Sequence, residues 1–423
     1  MKRKHIINIL GLYLLLMILI PKSFNNIGGL IPIRLVLSLI FIGVFAFYKL
    51  KNKDLNLNGK KFLVLAFIFL LSLIPSLIAS SSIITSIYSA IKFEVAFIVF
   101  FCIYNFKLTK EDLKILFKYL GLSLLIVLVY GALQYIFKIN LFTIGSYNYP
   151  GSRGRISTTF FNTIYYSIFL NMMICLFTYL ASVCKDKKNI IISIIFLSCS
   201  YISMLLTFTR SAVLIFAGCL LVTMIFNHKI FFKKLIIITY ILMIGISFLI
   251  PGVRTLYSRT FGDITTLATT NETEDPSLEH RMKFSEIGEV LGKDYFPTGI
   301  GLGSFEEYVN SKEYSTNYPM YSEYKTHPHS ALILLFAEAS IWPIISIAVI
   351  LIVLAIDLIK IWFNNRKSEM AYLAVLSATI LGGFFIVNII AENAIYDSQI
   401  FPLFLLLFGG LLSYINEVKL CQK

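Results

Sequence analysis

Apolar runs long enough to cross a lipid bilayer recur along almost the whole chain of 423 residues. The hydrocarbon core of a bilayer is about 30 Å thick and takes roughly 20 apolar residues per helix. With 57% hydrophobic and only 14% charged residues, against roughly 45–50% and 25% in soluble domains, a water-soluble globule is excluded. The sequence predicts an all-α, polytopic membrane protein with about twelve transmembrane helices, near residues 6–21, 29–48, 62–79, 84–104, 119–137, 160–181, 189–207, 211–227, 235–250, 330–359, 371–389 and 397–416.

The positive charges fall in every second gap between these helices. Cytoplasmic loops of membrane proteins carry an excess of Lys and Arg, and the basic gaps lie at residues 49–61, 107–118, 185–188, 229–234 and 360–367. A missed or invented helix would disturb this alternation. The pattern therefore supports twelve helices with both termini in the cytoplasm, and it explains the net charge of +14 by topology, without a nucleic-acid partner.

One gap, from Pro251 to Pro328 between the ninth and tenth helices, is much longer than the others. By the charge alternation it lies outside the cell, and its amphipathic stretch from Leu278 to Leu291 gives it apolar residues to bury. We therefore divide the chain into residues 1–250 with helices one to nine, 251–329 with the large extracytoplasmic loop, and 330–423 with helices ten to twelve and a cytoplasmic tail. Together they form one membrane domain.

The outer side also collects arginines that the positive-inside preference does not explain. They are Arg210 in the turn between helices seven and eight, Arg153 and Arg155 in the preceding outer loop, and Arg281 in the large loop. Guanidinium groups bind phosphate oxygens in bidentate fashion and keep their charge when partly desolvated. The arginines are therefore candidates for holding an anionic diphosphate near the membrane surface. The alternative is that each one extends to lipid headgroups.

Two histidines, His327 and His329, occur where the large loop re-enters the membrane. An imidazole titrates near neutrality and can take a proton from a hydroxyl nucleophile. The alternative is a hydrogen-bonded interfacial imidazole or one half of a metal site. The preceding cluster from Gly299 to Gly303 forms either a tight turn or an anion-binding nest of backbone amides.

Several charged residues are placed in or near the bilayer. Lys92 and Glu94 fall near the middle of helix four, which makes them candidates for ion or proton transport. Arg34 is close enough to the outer end of helix two for its side chain to reach the interface. Glu392 and Asp397, near the last outer turn, could accept hydrogen bonds from the arginines or from sugar hydroxyls. The favoured interpretation is that both are solvated loop carboxylates.

The ordered set of outer motifs resembles the O-antigen ligase and polymerase superfamily, membrane transferases of bacterial surface polysaccharide assembly. In chain order the motifs are Arg155 to Phe160 followed by Asn162, the Thr207–Ser211 turn, Arg281, Gly299 to Phe305, and His329–Ser330 followed by Glu338. The resemblance implies a GT-C-like fold. It also implies an inverting glycosyltransferase that moves a glycan from undecaprenyl diphosphate to an acceptor sugar hydroxyl, with no metal and no cofactor.

The resemblance also assigns roles to residues of this chain. It implies that His329 is the catalytic base. It implies that Arg210, Arg281, Arg155 and Arg153 bind the diphosphate, and that His327, Ser330, Glu338, Gly301 and Gly303 support the site.

Three functions stay open at this stage. The first is an O-antigen or capsule-type polymerase, the second is a ligase that transfers the glycan to lipid A core or another anchor, and the third is a flippase or transporter of lipid-linked oligosaccharides. The expected location is the bacterial plasma membrane, with the active site on its outer face. The expected partners are the bilayer, the lipid-linked donor, a glycan or lipid-anchored acceptor, a flippase and a chain-length regulator.

Overall fold

The computed structural model describes residues 3–21, 26–27, 31–53, 57, 59–138, 155–160, 162–226, 234–250, 252–258, 260, 262, 276–366 and 368–421. Within these ranges the regular secondary structure is helical except for one short antiparallel pair, in which β1 (Asn26–Ile27) pairs with β2 (Ile31–Pro32). The helices are α1 Arg3–Leu19, α2 Ile33–Lys51, α3 Lys60–Ala79, α4 Ile83–Tyr104, α5 Lys110–Phe137, α6 Thr163–Val183, α7 Lys187–Leu206, α8 Arg210–Phe226, α9 Lys234–Ser247, α10 Pro276–Asp294, α11 Phe305–Val309, α12 Lys312–Asn317, α13 Ala331–Ala339, α14 Ile341–Asn364, α15 Glu369–Ile390 and α16 Ile400–Cys421.

Nine helices among the described residues are long and apolar enough to cross a membrane, namely α2 to α7 and α14 to α16. The apolar helices α8 and α9 are shorter, and α1 adds a further apolar segment of 17 residues. Every helix predicted from the apolar runs has a counterpart among these elements. The prediction of an all-α, multi-pass membrane protein is therefore confirmed.

Contacts between side chains show which helix ends lie together. Arg3 at the start of α1 forms a 2.6 Å ion pair with Asp112 in the first turn of α5. Lys61 at the start of α3 pairs with Asp357 near the end of α14. We call this the basic end of the bundle. The opposite end, where Thr159 donates to the carbonyl of Ile18, is called the site end.

Two helix boundaries differ from the prediction for local physical reasons. The fifth helix begins at Lys110 instead of near residue 119, because Thr109 and Asp112 form a capping box that extends it into the polar loop. The predicted helix over 330–359 is broken at Ser340, whose φ of +63° is incompatible with a continuous right-handed helix. The break separates the nine-residue α13 from the long α14.

The segment between α9 and α13, predicted above to be the large outer loop, folds against α13. Helices α10 to α12 enclose a second apolar cluster, which includes Leu291, Phe305 and Tyr314 and also Leu334 from α13. The contact between α10 and α13 is close. A Cβ at Gly292 would lie 2.3 Å from the ring of Phe336, so any side chain there would displace that ring.

A glycine loop joins this outer region to the membrane helices. Gly299, Gly301 and Gly303 have φ values of +77°, +110° and +74°, which disfavour residues with a side chain. A Cβ at Gly301 would lie 2.4 Å from Oγ of Ser80, and one at Gly303 would lie 2.3 Å from Oγ of Ser89. The cluster therefore forms a tight turn packed on the ends of α3 and α4.

Candidate functional site

The strongest candidate for chemistry is an imidazole beside a buried carboxylate at the site end. His329 lies two residues before α13, and Glu392 lies two residues after α15. Nδ1 of His329 is 3.6 Å from Oε1 of Glu392. The side chain of Glu392 is 4% exposed and that of His329 is 30% exposed. A carboxylate on one ring nitrogen fixes the orientation of an imidazole and leaves the other nitrogen to act on a ligand.

Local interactions hold Glu392 in place. Its Oε1 accepts from the backbone N–H of Asn393 at 3.3 Å, and its Oε2 accepts from Nδ2 of Asn162 at 3.4 Å. Asn162 is itself the N-cap of α6. Burial alone would raise the pKa of Glu392. The contact with His329 and the positive charge of the protonated His329 ring outweigh burial, so the pKa of Glu392 lies below its ordinary value. Glu392 is therefore a stable carboxylate at neutral pH.

The second histidine has its own carboxylate. Nδ1 of His327 lies 3.2 Å from Oε1 of Glu306 in α11. Burial lowers the pKa of His327, but the hydrogen bond to Glu306 and the charges of Glu392, Glu306 and Glu338 outweigh it, so the pKa is raised. The rings of His327 and His329 lie 6.0 Å apart. The two histidines thus form one group, and the negative charges of three carboxylates, those of Glu306, Glu338 and Glu392, act on His327.

Rings from the outer loop border His329. Phe284 of α10 lies 6.1 Å from the His329 ring at an interplanar angle of 66°. Tyr324 lies 5.8 Å from Phe284, and His280 lies 6.0 Å from Tyr324. The outer loop therefore reaches the site through α10 and the segment before His327.

The predicted arginines lie on elements at this same end. Arg281 is half-buried and precedes Phe284 by three residues, which places both on one face of α10. Arg210 begins α8 directly after a turn in which Phe208 has a φ of +48°. Arg155 is exposed. The residue after it, Ile156, contacts the chain just before this turn, because its N–H donates to the carbonyl of Leu206 at 3.3 Å. Arg153 lies outside the described residues.

The predicted supporting residues are placed behind the histidines. Glu338 is 2% exposed. Its side-chain Oε1 accepts from the N–H of Phe305 at 3.1 Å, and its backbone carbonyl accepts from Oγ of Ser76 at 2.7 Å. Ser330 is buried at the N-cap position of α13. Gly301 donates its N–H to the same Glu338 carbonyl at 3.0 Å, and Gly303 packs on Ser89. These residues join the glycine loop, α13 and α3.

Three expectations about charged residues were wrong. Glu392 and Asp397 are not solvated, because they are 3% and 6% exposed. Oδ1 of Asp397 accepts from the backbone N–H groups of Gln399 and Ile400, just before and at the start of α16. Arg34 does not extend to headgroups; it is 1% exposed and donates to the carbonyl of Ile20 and to Oγ of Ser398. The polar interior of the site end supplies partners that an isolated helix would lack.

Sequence reasoning missed Glu392 as a partner of His329. The two residues are separated by 63 positions and no motif links them. The available signal was a carboxylate in the short turn between two apolar helices, a position that the bundle brings next to the end of the outer loop.

Comparison with known families now adds to this geometry. Residues 193–342 match the family model described as O-antigen ligase. The matched segment includes Arg210, Arg281, the glycine loop, His327 and His329. No curated protein matches the chain. The match covers this segment and not the whole chain; together with the multi-pass helical fold, it supports a similarity to the O-antigen ligase and polymerase superfamily.

Proposed function

We propose that the chain polymerises a surface polysaccharide by transferring a glycan from undecaprenyl diphosphate to the hydroxyl of an acceptor sugar. The reaction takes place at the site end, on the outer face of the bacterial plasma membrane, with both termini in the cytoplasm. The observation that carries the proposal is the His329–Glu392 pair, in which a partly exposed imidazole is oriented by a buried carboxylate. This is the arrangement of a general base and its orienting group.

In the reaction, Nε2 of His329, the ring nitrogen that does not face Glu392, takes the proton of the acceptor hydroxyl. The hydroxyl oxygen attacks the anomeric carbon of the donor sugar and forms the new glycosidic bond. The bond from that carbon to the diphosphate oxygen breaks, and its electron pair leaves with the undecaprenyl diphosphate. A single displacement of this kind inverts the anomeric configuration. Glu392 stabilises the imidazolium that forms.

The diphosphate acquires negative charge as it leaves, and cationic groups that face it lower the barrier. Arg210, Arg281 and Arg155 are assigned this role because they are arginines of the site end or of the outer loop beside it. Arg153 is assigned it with them from its place in the sequence, two residues before Arg155. Protonated His327, whose pKa is raised, adds positive charge next to His329. The chain's own side chains therefore supply both the base and the counter-charges.

Reconstitution with purified lipid-linked repeat unit tests the proposal. Products that lengthen into a ladder support a polymerase, and products that move to a second lipid anchor indicate a ligase. Substrate that only crosses the bilayer indicates a flippase and contradicts transfer.

The matched variants are His329→Ala and His5→Ala, the latter at an exposed histidine of the basic end. We expect His329→Ala to abolish product at unchanged protein level and His5→Ala to have no effect. Normal ladders from His329→Ala would overturn the assignment.

A further inference from the structure

The first turn of α14 carries a tryptophan at the site end of the bundle. Trp342 is the second residue of this membrane-spanning helix, and it is 42% exposed. A tryptophan ring is large and apolar but carries one N–H donor. Tryptophans are therefore enriched where transmembrane helices meet the lipid headgroups. The neighbours of Trp342 show which surface it faces.

One face of α14 is turned away from the rest of the protein. The exposed large apolar side chains of this helix recur every three or four residues, and they include Trp342, Ile345, Val349, Ile352, Ile356 and Ile359. Residues at this spacing lie on one side of an α-helix. A continuous exposed apolar surface on a membrane-spanning helix is a surface for acyl chains. Trp342 is therefore the site-end member of a lipid-facing stripe.

The segment that follows α10 contacts this tryptophan. Nε1 of Trp342 donates to the backbone carbonyl of Pro297 at 3.0 Å. The residue before it, Phe296, is 57% exposed although it is large and apolar. Both residues lie between the end of α10 at Asp294 and the glycine loop. The apolar surface of α14 therefore continues past the end of the helix onto this segment.

The membrane helices present further apolar side chains where the glycine loop contacts them. Ile78 at the end of α3 is 79% exposed, and Ile84 at the start of α4 is 81% exposed. Ser80 lies between them and contacts the loop, since a Cβ at Gly301 would lie 2.4 Å from its Oγ. Water is an unfavourable environment for side chains of this kind. Exposed apolar residues thus occur on both partners of the contact between the glycine loop and the membrane helices.

We propose that Phe296 and Trp342 insert together into the headgroup layer of the leaflet at the site end, so that the segment between α10 and the glycine loop lies on the lipid surface. The partner is a bilayer, because Trp342 belongs to the lipid-facing stripe and Phe296 continues it. Interfacial segments bury their apolar side chains about 5–10 Å into the boundary between headgroups and acyl chains. The contact holds one end of α10 at the membrane, and the same helix carries Arg281 and Phe284. The inference goes beyond the proposed function and does not rest on it.

The test measures tryptophan fluorescence of the full chain in vesicles of phosphatidylcholine and phosphatidylglycerol. The chain has two tryptophans, and Trp362→Phe leaves only Trp342, whose contact with Pro297 is kept. Phe296→Trp is then added, and the difference in emission between the two proteins reports on the substituted position. We expect lipids that carry bromine on their acyl chains to quench most of this emission. Acrylamide in the surrounding water should quench little of it.

Two substitutions in the same background calibrate the measurement. Ile352→Trp lies within the lipid-facing stripe, where the native side chain is 58% exposed, and its emission should be quenched by brominated lipid. Thr316→Trp lies at an exposed position of the short polar helix α12, and its emission should be quenched by acrylamide. Phe296→Trp should resemble Ile352→Trp.

Two results would overturn the lipid contact. One is quenching of Phe296→Trp by acrylamide to the level of Thr316→Trp, without quenching by brominated lipid, since the residue would then lie in water. The other is resistance to both quenchers, because a protein surface would then cover the residue in place of lipid. The fluorescence is measured without substrate. Failure of transfer in reconstitution therefore leaves the lipid contact standing, and loss of the lipid contact leaves the proposed reaction standing.

Discussion

Oε1 of Glu392 lies 3.6 Å from Nδ1 of His329, and the carboxylate is almost fully buried. A buried charge is tolerated only when it is paired and hydrogen-bonded, and Asn162 and the backbone of Asn393 complete its contacts. The fold thus places the buried carboxylate of Glu392 beside the His329 imidazole, and part of that ring stays accessible to solvent. Four kinds of substitution test what this arrangement and its surroundings do, and a fifth separates transfer from transport.

Removing the charge of Glu392 should slow transfer without removing the histidine. We expect Glu392→Gln to reduce the rate of reconstituted transfer by about 10²–10⁴-fold, the range over which general-base catalysis contributes. The amide keeps the shape of the side chain but does not stabilise an imidazolium. The rate at saturating donor is the measurement. Glu307→Gln, at an exposed carboxylate of α11, is the control, and equal rates for the two variants would contradict the role of Glu392.

The arginines should act on the donor diphosphate. Arg210→Ala and Arg281→Ala should each raise the KM for lipid-linked donor or lower kcat by about 10–100-fold, since a charge-assisted hydrogen bond contributes about 1.5–3 kcal/mol. Lysine should rescue poorly because it lacks the planar fork of donors. The control is Arg254→Ala, whose exposed guanidinium donates to the carbonyl of Phe248. Wild-type kinetics for both alanine variants would refute diphosphate binding.

The protonation of His327 should depend on Glu306. The raised pKa means that the folded state favours protonated His327; the resulting stabilisation is present at low pH and is lost as pH rises through the folded-state pKa. Glu306→Gln removes the hydrogen-bonded carboxylate, so the loss should move to lower pH. Thermal unfolding from about pH 5.5 to 8, around the pKa of histidine, measures it. Glu307→Gln should leave the profile unchanged, and identical profiles for the two variants would exclude the pair.

The glycine loop should tolerate no side chain where it meets α13. At Gly299, with a φ of +77°, a Cβ would lie 2.4 Å from the carbonyl of Glu338. We expect Gly299→Ala to destabilise the protein by at least about 1–2 kcal/mol, the cost of the left-handed conformation alone. Gly382→Ala is the control, since nothing lies within 4 Å of its Cβ position. It should be neutral or stabilising by up to about 1 kcal/mol. Unfolding temperatures in the same detergent decide between these outcomes.

Glu94 separates transfer from transport. A protein that moves ions, protons or lipid-linked oligosaccharides across the bilayer would use this carboxylate within α4, whereas a transferase at the site end would not. We therefore expect Glu94→Gln to retain the wild-type rate of reconstituted transfer. Loss of substrate movement across the vesicle membrane, measured in parallel, would favour the transporter.

The helices were predictable because each apolar run is long and the basic gaps alternate between them. The start of α5 and the break at Ser340 were not, since one depends on a capping box in a polar loop and the other on a single left-handed residue within an apolar run. A hydropathy pattern carries no information on either.

The candidate site was predictable only in part. His327 and His329 were proposed from their place at the end of the outer loop. Arg210 was proposed because it lies in a predicted outer turn, where the positive-inside preference disfavours a cation. The contact of Glu392 with His329 depends on packing of α15 beside α13 and α6. The burial of Arg34 depends on partners from the turns before α2 and α16. Such relationships arise between elements distant in sequence, so composition and spacing do not reveal them.

The apolar cluster of the outer loop includes Leu334 and Ala337 of α13. Excised from the chain at Pro328, the loop would lose these side chains and expose the cluster to water. A graft of this loop onto a relative must therefore carry residues 331–339 with it, and chimeras joined at Ser340 should retain a folded loop where chimeras joined at Pro328 do not.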